Sequence, residues 1–599
     1  MCRLLRVATY LAFFTVTTAS TRWPAKIRDL SSNDISGPKG GVQPRLEVHD
    51  LQKKPDHWNI FLLAMQSFQQ QDFTETMSYY QIAGIHGAPY IPWEGVDRCP
   101  QCAVTGYCCH ASTLFPTWHR VYTSLFEQAL QSIAFAIALQ FQGDDQQRYT
   151  AAASELRMAY WDWAAPMQAG EDPLPQLFTD PTVNVTTPNG TQIIPNPLQK
   201  FTFPAGADNS FTVDPTSGTT VRNSTLTVQA RQQLRADTWT LMTSQQVYEA
   251  FSTQALSGGS GENPNSLEAL HDQIHILVGG DMGYVPSAAF DPIFFFHHCN
   301  VDRLLAIWQT LYPSTWLEPW KEVGQTYTYT SGSMQNSSSP LTPFRSNASL
   351  GFWDADSCRS TESLNYEYPE IASGDRASAI NVVNSLYKEN PPSTNNKRAD
   401  DDAITAYDSS GQVQEYIANV RADSTGTPGS FTLFLFCGDF DESDPDNWHN
   451  EANLTGYHGF FTGPEAQGDG TGLVNAGISI TQFLLQAVAD GYCRDMSSAS
   501  VTEYLRENIQ WRTKSVNGTV MPPEMVPALE VAVMACPVNL PGAEADMPNW
   551  GQWEFLTECT QNKPNGYSGG GLNGFLDFLQ PAPGLQLSDI TESLGLALA

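Results

Sequence analysis

The sequence predicts an α + β protein of two domains, a helical domain followed by a mainly β domain, and three observations carry that prediction. The chain has 599 residues, too many for one ordinary core. Its histidines cluster in the first half, several of them in or beside long apolar stretches free of helix breakers. ENPPSTNNKRADDD (389–402) then interrupts the pattern, and beyond it short apolar runs alternate with turn residues, as strands do. The boundaries that follow are a leader at 1–20, a first domain at 21–388, a linker at 389–402 and a β domain at 403–599.

In order, residues 21–55 read as extended and HWNIFLLAMQSFQQ (57–70) as the first helix. Residues 84–116 read as irregular and include His86, four cysteines and His110. A long helix follows Pro116, carries His119 near its start and is apolar on more than one face, as a central buried helix would be. Three glycosylation sequons and many turn residues mark 170–228 as an insertion with little helix. SLEALHDQIHILVGG (266–280) is a helix capped by Ser266 and stopped by Gly279-Gly280, with His271 and His275 on one face. The aromatic run Phe294, Phe295 and Phe296 leads to His297 and His298, and a helix runs on to about 311. In the second domain SFTLFLFCGDF (430–440) reads as strand, while 476–493 and 529–538 fit helix or strand equally.

The amino terminus has two arginines, an apolar run from Val7 to Val16 and small residues at Thr17, Ala19 and Ser20. It reads as a secretion signal, the run being too short to span a bilayer. Seven N-x-S/T sequons, at Asn184, Asn189, Asn223, Asn336, Asn347, Asn453 and Asn517, fit a secreted, extracellular glycoprotein. A net charge of −32 opposes nucleic-acid binding, since a phosphate backbone would be repelled. Neither a membrane nor a nucleic acid is expected as a partner, and oligomeric state is not legible. Eleven cysteines suit an oxidising compartment without revealing their pairing. Lys397-Arg398 is a natural site for a secretory-pathway protease or simply part of a solvated linker.

Seven of the eleven histidines therefore fall where helices and their flanks can gather them: His86, His110, His119, His271, His275, His297 and His298. Imidazole suits copper, zinc, nickel or iron, whereas catalytic zinc needs only three protein ligands. Two full triplets favour a dinuclear site, and copper adds the redox chemistry that zinc lacks.

At these motifs the chain resembles the type-3 copper family of tyrosinases, catechol oxidases and molluscan haemocyanins, above all the secreted polyphenol oxidases of filamentous fungi. Cys108, His110 and Leu114 to Arg120 match its first copper motif; His271, His275 and Asp291 to Arg303 match the second. The resemblance implies a tyrosinase-like antiparallel four-helix bundle holding two copper ions. His86, His110 and His119 would bind one ion and His271, His275 and His298 the other, with His297 behind them. It implies oxidation of o-diphenols to o-quinones with O2 reduced to water, small phenols being the substrates. Cys108 would form a thioether with His110, the alternative being a disulfide. Asp272 stands where relatives carry an asparagine linked to monophenol hydroxylation, which favours diphenol oxidation here. Glu268 and Glu262 are the candidates for the acid that holds a water with it, and Val285 and Ile276 line the pocket. Asn300, Asp302 and Arg303 are structural or support the ligands, while Arg45, Tyr366 and Tyr368 clamp the domain ends. Tyr457, Phe460 or Phe461 would shield the site until the linker is cut. Unlike some fungal relatives, the chain has its CxxC, Cys99 to Cys102, in the copper domain. The alternatives are a tyrosinase with full monophenol hydroxylation, a haemocyanin-like oxygen carrier and a zinc hydrolase.

Overall fold

The computed structural model describes residues 34–255, 263–346, 351–388, 412–423, 427, 429–462, 472–541 and 546–569. The expected leader, the linker with Lys397-Arg398, Glu262 and Asn347 lie outside them. The first part is helical: α1 (Pro55–Gln69), α2 (Tyr79–His86), α3 (Phe115–Ala138), α4 (Gly143–Glu155), α5 (Val228–Ser244), α6 (Leu267–Val278), α7 (Ile293–Leu311) and α8 (Arg376–Leu386). α3 starts with proline in its first turn, which needs no backbone N–H there, and α6 starts at Ser266, whose hydroxyl accepts from the Ala269 N–H. Gly279 ends α6 with φ +66°, and its N–H bonds the His275 carbonyl. A Cβ there would meet the Asn223 carbonyl oxygen at 2.4 Å, so the stop depends on glycine.

α1, α3, α6 and α7 pack around one another, and α6 and α7 are buried along nearly all their length. Two departures from expectation concern histidines. His86 closes the helix α2 rather than lying in irregular chain; Gly84 and the following Gly87 and Pro89 hide that helix in the sequence, and burial of Tyr79, Ile82 and Ile85 supplies what propensity lacks. α7 begins at Ile293, so His297 and His298 sit inside it rather than before it.

The ends of this part are tied by a short parallel pairing of β1 (Gln43–Pro44) with β2 (Tyr366–Glu367). Arg45 lies 3.5 Å over the Tyr366 ring and pairs with Glu127 and Asp302. Arg303 reaches Asp162, Glu370 and Tyr387, and its contact with Asn300 Oδ1 is 3.4 Å.

The second part is mainly β, with two antiparallel sheets. One has the order β6 (Leu473–Ser479), β3 (Val413–Asp423), β8 (Glu530–Asn539), with short strands Asn549–Trp550 and Glu554–Phe555 along β8. The other orders Val520–Met521, β7 (Ile509–Ser515), β4 (Phe431–Cys437) and β5 (Leu454–Phe460). The ambiguous stretch 476–493 divides into the end of β6 and a helix at Thr481–Ala489, while 529–538 is strand. Side chains alternate along β5. Phe460 stacks on Phe431 in the β core, whereas Tyr457 and Phe461 pack with the helical part. A Cβ on Gly459 would lie 2.5 Å from Ile276 Cβ, so that glycine lets the strand lie directly on α6.

Five of the seven sequon asparagines, Asn184, Asn189, Asn223, Asn336 and Asn517, are exposed; Asn453 is half-buried and its amide donates to the Asp439 carbonyl. Among the described residues no helix is long and apolar enough to cross a membrane.

Candidate metal centre

Five of the six expected ligands are delivered by helices: His86 by the last residue of α2, His119 by the first turns of α3, His271 and His275 by one face of α6, and His298 by α7. His110 alone comes from a loop. Five of these rings are at most 1% exposed, and His110 is partly buried.

The second triad is the tighter. His271 Nε2 lies 2.9 Å from His275 Nε2 and 3.2 Å from His298 Nε2, and the latter two are 3.3 Å apart. A triangle of nitrogens this size suits one ion at the ~2 Å of metal–imidazole bonds. In the first triad the ring centroids of His86, His110 and His119 are 5.3, 5.4 and 5.7 Å apart, and no Nε2 has a hydrogen-bond partner. Three buried acceptors left without a donor are costly unless a ligand satisfies them, at about 1–3 kcal/mol each. The triads face each other, His119 stacked on His298 at 4.5 Å.

Other bonds prepare these rings. His119 Nδ1 donates to the Phe115 carbonyl at 2.8 Å, His275 Nδ1 to the Met282 carbonyl at 2.7 Å and His271 Nδ1 to Asp272 Oδ1 at 2.9 Å. Each bond leaves the Nε2 lone pair for a metal. Burial pushes all six imidazoles down, His110 to about 4, so they are neutral at ordinary pH. The donor set fits a pair of ions held wholly by imidazole, the donor type copper accepts.

His297 is fully buried, has no hydrogen-bond partner at either nitrogen, and stacks on His271 at 5.0 Å; burial lowers it to about 3. Together with His271, His275 and His298 it forms a four-histidine group. Of the three phenylalanines, Phe294 belongs to the site, stacked on His298 at 4.0 Å, whereas Phe295 stacks on Phe126 and Phe296 packs on Phe61 and Phe178. Phe115 was legible only as part of a motif, yet its ring lies 4.7 Å from His119 and 4.8 Å from His271.

Cys108 is not in a disulfide; Cys99 pairs with Cys102, and Cys108 Sγ lies 3.4 Å from His110 Nδ1. Asp272 Oδ2 accepts from the Gln254 side-chain amide at 2.9 Å and from the Phe461 N–H at 3.2 Å. Burial, and then Glu268, push the Asp272 carboxyl up. Glu268 is fully buried, raised by burial to about 7, and holds three protein donors. Val285 and Ile276 are each 8% exposed; Val285 passes its carbonyl beside Gly87, and Ile276 lies under Gly459.

The Phe461 ring covers the centre. It lies flat on His275, 4.1 Å away at 8°, and turns its edge to His110 at 5.8 Å and His271 at 6.0 Å. The Tyr457 ring packs on Phe434 at 5.7 Å, and the Tyr457 carbonyl accepts from the Gln233 and Gln273 amides at 3.0 and 3.1 Å. Phe460 points away into the sheet core.

Comparison with known proteins agrees with this arrangement. The family described as the common central domain of tyrosinase matches residues 76–311, and the tyrosinase C-terminal domain matches 415–533. A tyrosinase of Podospora anserina is 33% identical over 497 residues, spanning 70% of this chain and 87% of that protein. A tyrosinase of Neurospora crassa is 28% identical, with 88% of this chain and 96% of the relative covered. A mushroom tyrosinase solved in latent and active forms superposes with a TM-score of 0.72 at 25% identity, over 87% of this chain and 99% of that one. The family assignment supports a secreted, extracellular protein. The chain belongs to the type-3 copper polyphenol oxidase family, and it is an enzyme of the kind found in fungal and mushroom tyrosinases.

Proposed function

We propose that the chain oxidises o-diphenols to o-quinones with O2 as oxidant, and that residues 403–599 keep it latent until the 389–402 linker is cut. The observation that carries the reading is the Phe461 ring lying on His275, with its other histidine neighbours His110 and His271 drawn from both of the facing histidine groups. His86, His110 and His119 would hold one copper, and His271, His275 and His298 the other. When bound, the copper pair supplies the redox step that couples loss of two electrons and two protons from each diphenol to reduction of O2 to water.

The chain's own residues orient and protect that step. The Nδ1 bonds of His119, His271 and His275 fix three rings against rotation. Phe294 and Phe115 wall the centre against water. The flat face of His275, now taken by Phe461, is the natural seat for a phenol ring. Departure of the C-terminal part frees Asp272 Oδ2 of the Phe461 N–H, leaving an acceptor for a phenolic proton. Cys108 Sγ, beside the His110 ring, is placed for the thioether that the family resemblance implies. His297 backs His271 rather than completing a triad, and Val285 and Ile276 border the opening. Cleavage after Arg398 by a secretory-pathway protease would part the domain at 21–388 from the shield.

Asp272 bears on substrate choice. It puts a carboxyl where the family's asparagine is linked to monophenol hydroxylation, so diphenols should lead. The names of the relatives favour a second reading, tyrosinase activity on monophenols as well. Oxygen uptake by the cleaved, copper-loaded protein on a catechol and on its matching monophenol separates the two. Fast uptake on the catechol with slow uptake on the monophenol is expected, and Asp272→Asn should raise the monophenol-to-catechol ratio severalfold. Equal rates on both, or a ratio indifferent to the substitution, would contradict the diphenol-first reading.

A further inference from the structure

His110 is the ligand with no helix to hold it, and the structure has a substitute for one. Its neighbour Ala111 has φ +50°, a left-handed conformation that an alanine keeps only when its surroundings impose it. The Ala111 N–H donates to Glu268 Oε1 at 2.6 Å. Glu268 stands on α6 one turn before His271, and its other oxygen accepts from the Thr253 hydroxyl at 2.7 Å and the Gln254 N–H at 3.1 Å. From the opposite side the Gly324 N–H donates to the Ala111 carbonyl at 3.1 Å, and the Ser112 hydroxyl to Glu322 Oε1 at 2.7 Å. The approach is close enough that a Cβ on Gly324 would meet the His110 carbonyl oxygen at 2.0 Å. The loop is thus gripped between α6 and the chain around 322–324.

We propose that Glu268 is the positioning residue that ties His110, a ligand of the first triad, to the helix carrying His271 and His275 of the second. The inference rests on the reading that the two triads hold two coppers. It departs from a role in holding an active-site water: both carboxylate oxygens accept from protein donors, and the side chain is fully buried. Without that acceptor the Ala111 N–H loses its partner, the loop relaxes from its left-handed turn, and His110 Nε2 leaves the triad. The nitrogens of the second triad, fixed by α6 and α7, stay where they are. One carboxylate therefore makes filling of the first site depend on the helix of the second.

The test is the copper content of the intact protein and its cupric paramagnetic signal, which a magnetically coupled pair hides and an isolated ion shows. The unsubstituted protein should bind two ions with little signal; if it does not, the two-copper reading itself fails, and separately from this inference. Glu268→Ala, and Glu268→Asp as a second variant whose shorter arm cannot reach Ala111 while holding Thr253, should each fall to one ion with a strong signal. Glu268→Gln, whose amide oxygen can still accept from Ala111 while its nitrogen donates to Thr253 and leaves only the Gln254 N–H without an acceptor, should keep both ions. Thr253→Val, which leaves the Ala111 bond intact, should keep both as well. Two coupled coppers in Glu268→Ala or Glu268→Asp would overturn the assignment. So would loss of copper in Glu268→Gln equal to that in Glu268→Asp, because charge rather than the bond to Ala111 would then be what matters.

Discussion

Replacing Phe461 by alanine in the intact, copper-loaded chain is expected to raise oxygen uptake on catechol on the order of tenfold or more. The ring is 4% exposed and lies on His275, so the substitution both clears the seat and weakens the closed state. Truncating a buried phenylalanine costs about 3–5 kcal/mol, and each 1.4 kcal/mol of that acting only on the closed state shifts closure about tenfold. Gly459→Leu should act in the same direction by another route. Even a Cβ there would stand 2.5 Å from Ile276 Cβ, so a larger side chain must wedge β5 off α6. Phe460→Ala is the control, because Phe460 packs on Phe431 inside the sheet and should lower stability without direct access to the centre. If intact Phe461→Ala stays as slow as its parent while fully loaded with copper, Phe461 is not what closes the site.

Loss of Asp302 is the second large effect, and it falls on stability. Its carboxylate accepts from Arg120 Nε at 2.5 Å, Arg45 Nη1 at 3.0 Å, the Tyr366 hydroxyl at 2.6 Å and the Tyr368 hydroxyl at 2.7 Å. Both arginines are fully buried. Asp302→Ala leaves two guanidinium groups in the interior short of their shared carboxylate, a loss of about 3–5 kcal/mol. It also unfastens the β1–β2 closure, since Tyr366 is part of that pairing and Arg45 follows it. The measure is the unfolding temperature of the intact protein, expected to fall by several degrees or to leave the protein insoluble. Burial alone would push the Asp302 carboxyl up, but Arg120 and Arg45 outweigh it and hold it below the ordinary carboxylate range. With a depressed folded value, its contribution is complete above the unfolded value of about 4 and is lost as pH falls through the folded value. Acid unfolding of the parent should therefore be delayed relative to Asp302→Asn. An unchanged unfolding temperature in Asp302→Ala would show that the cluster does not clamp the fold.

Much of this was legible in the chain because histidine leaves few alternatives at such spacings. His271 and His275, four apart in a capped apolar helix, had one face to share, and His298 followed from a long motif. Arg45, Tyr366 and Tyr368, expected from the resemblance as clamps of the domain ends, converge on Asp302, which the sequence did not link to them. What escaped depends on contacts between distant segments. Nothing local marks Gln254, yet its amide joins Asp272 and its N–H joins Glu268. The choice among Tyr457, Phe460 and Phe461 needed the pleat of β5 and its register against β4, which local sequence does not specify. The helix at His86 was hidden because tertiary burial, not propensity, forms it.

The central claim is a dinuclear copper oxidase closed by its own carboxy-terminal part. Oxygen uptake on catechol by the copper-loaded protein, intact and after proteolysis confined to residues 389–402, tests it most directly. The account predicts slow uptake before cleavage and a large rise after it, with the copper content unchanged. Equal uptake before and after, or none in either form with two coppers bound, would contradict it.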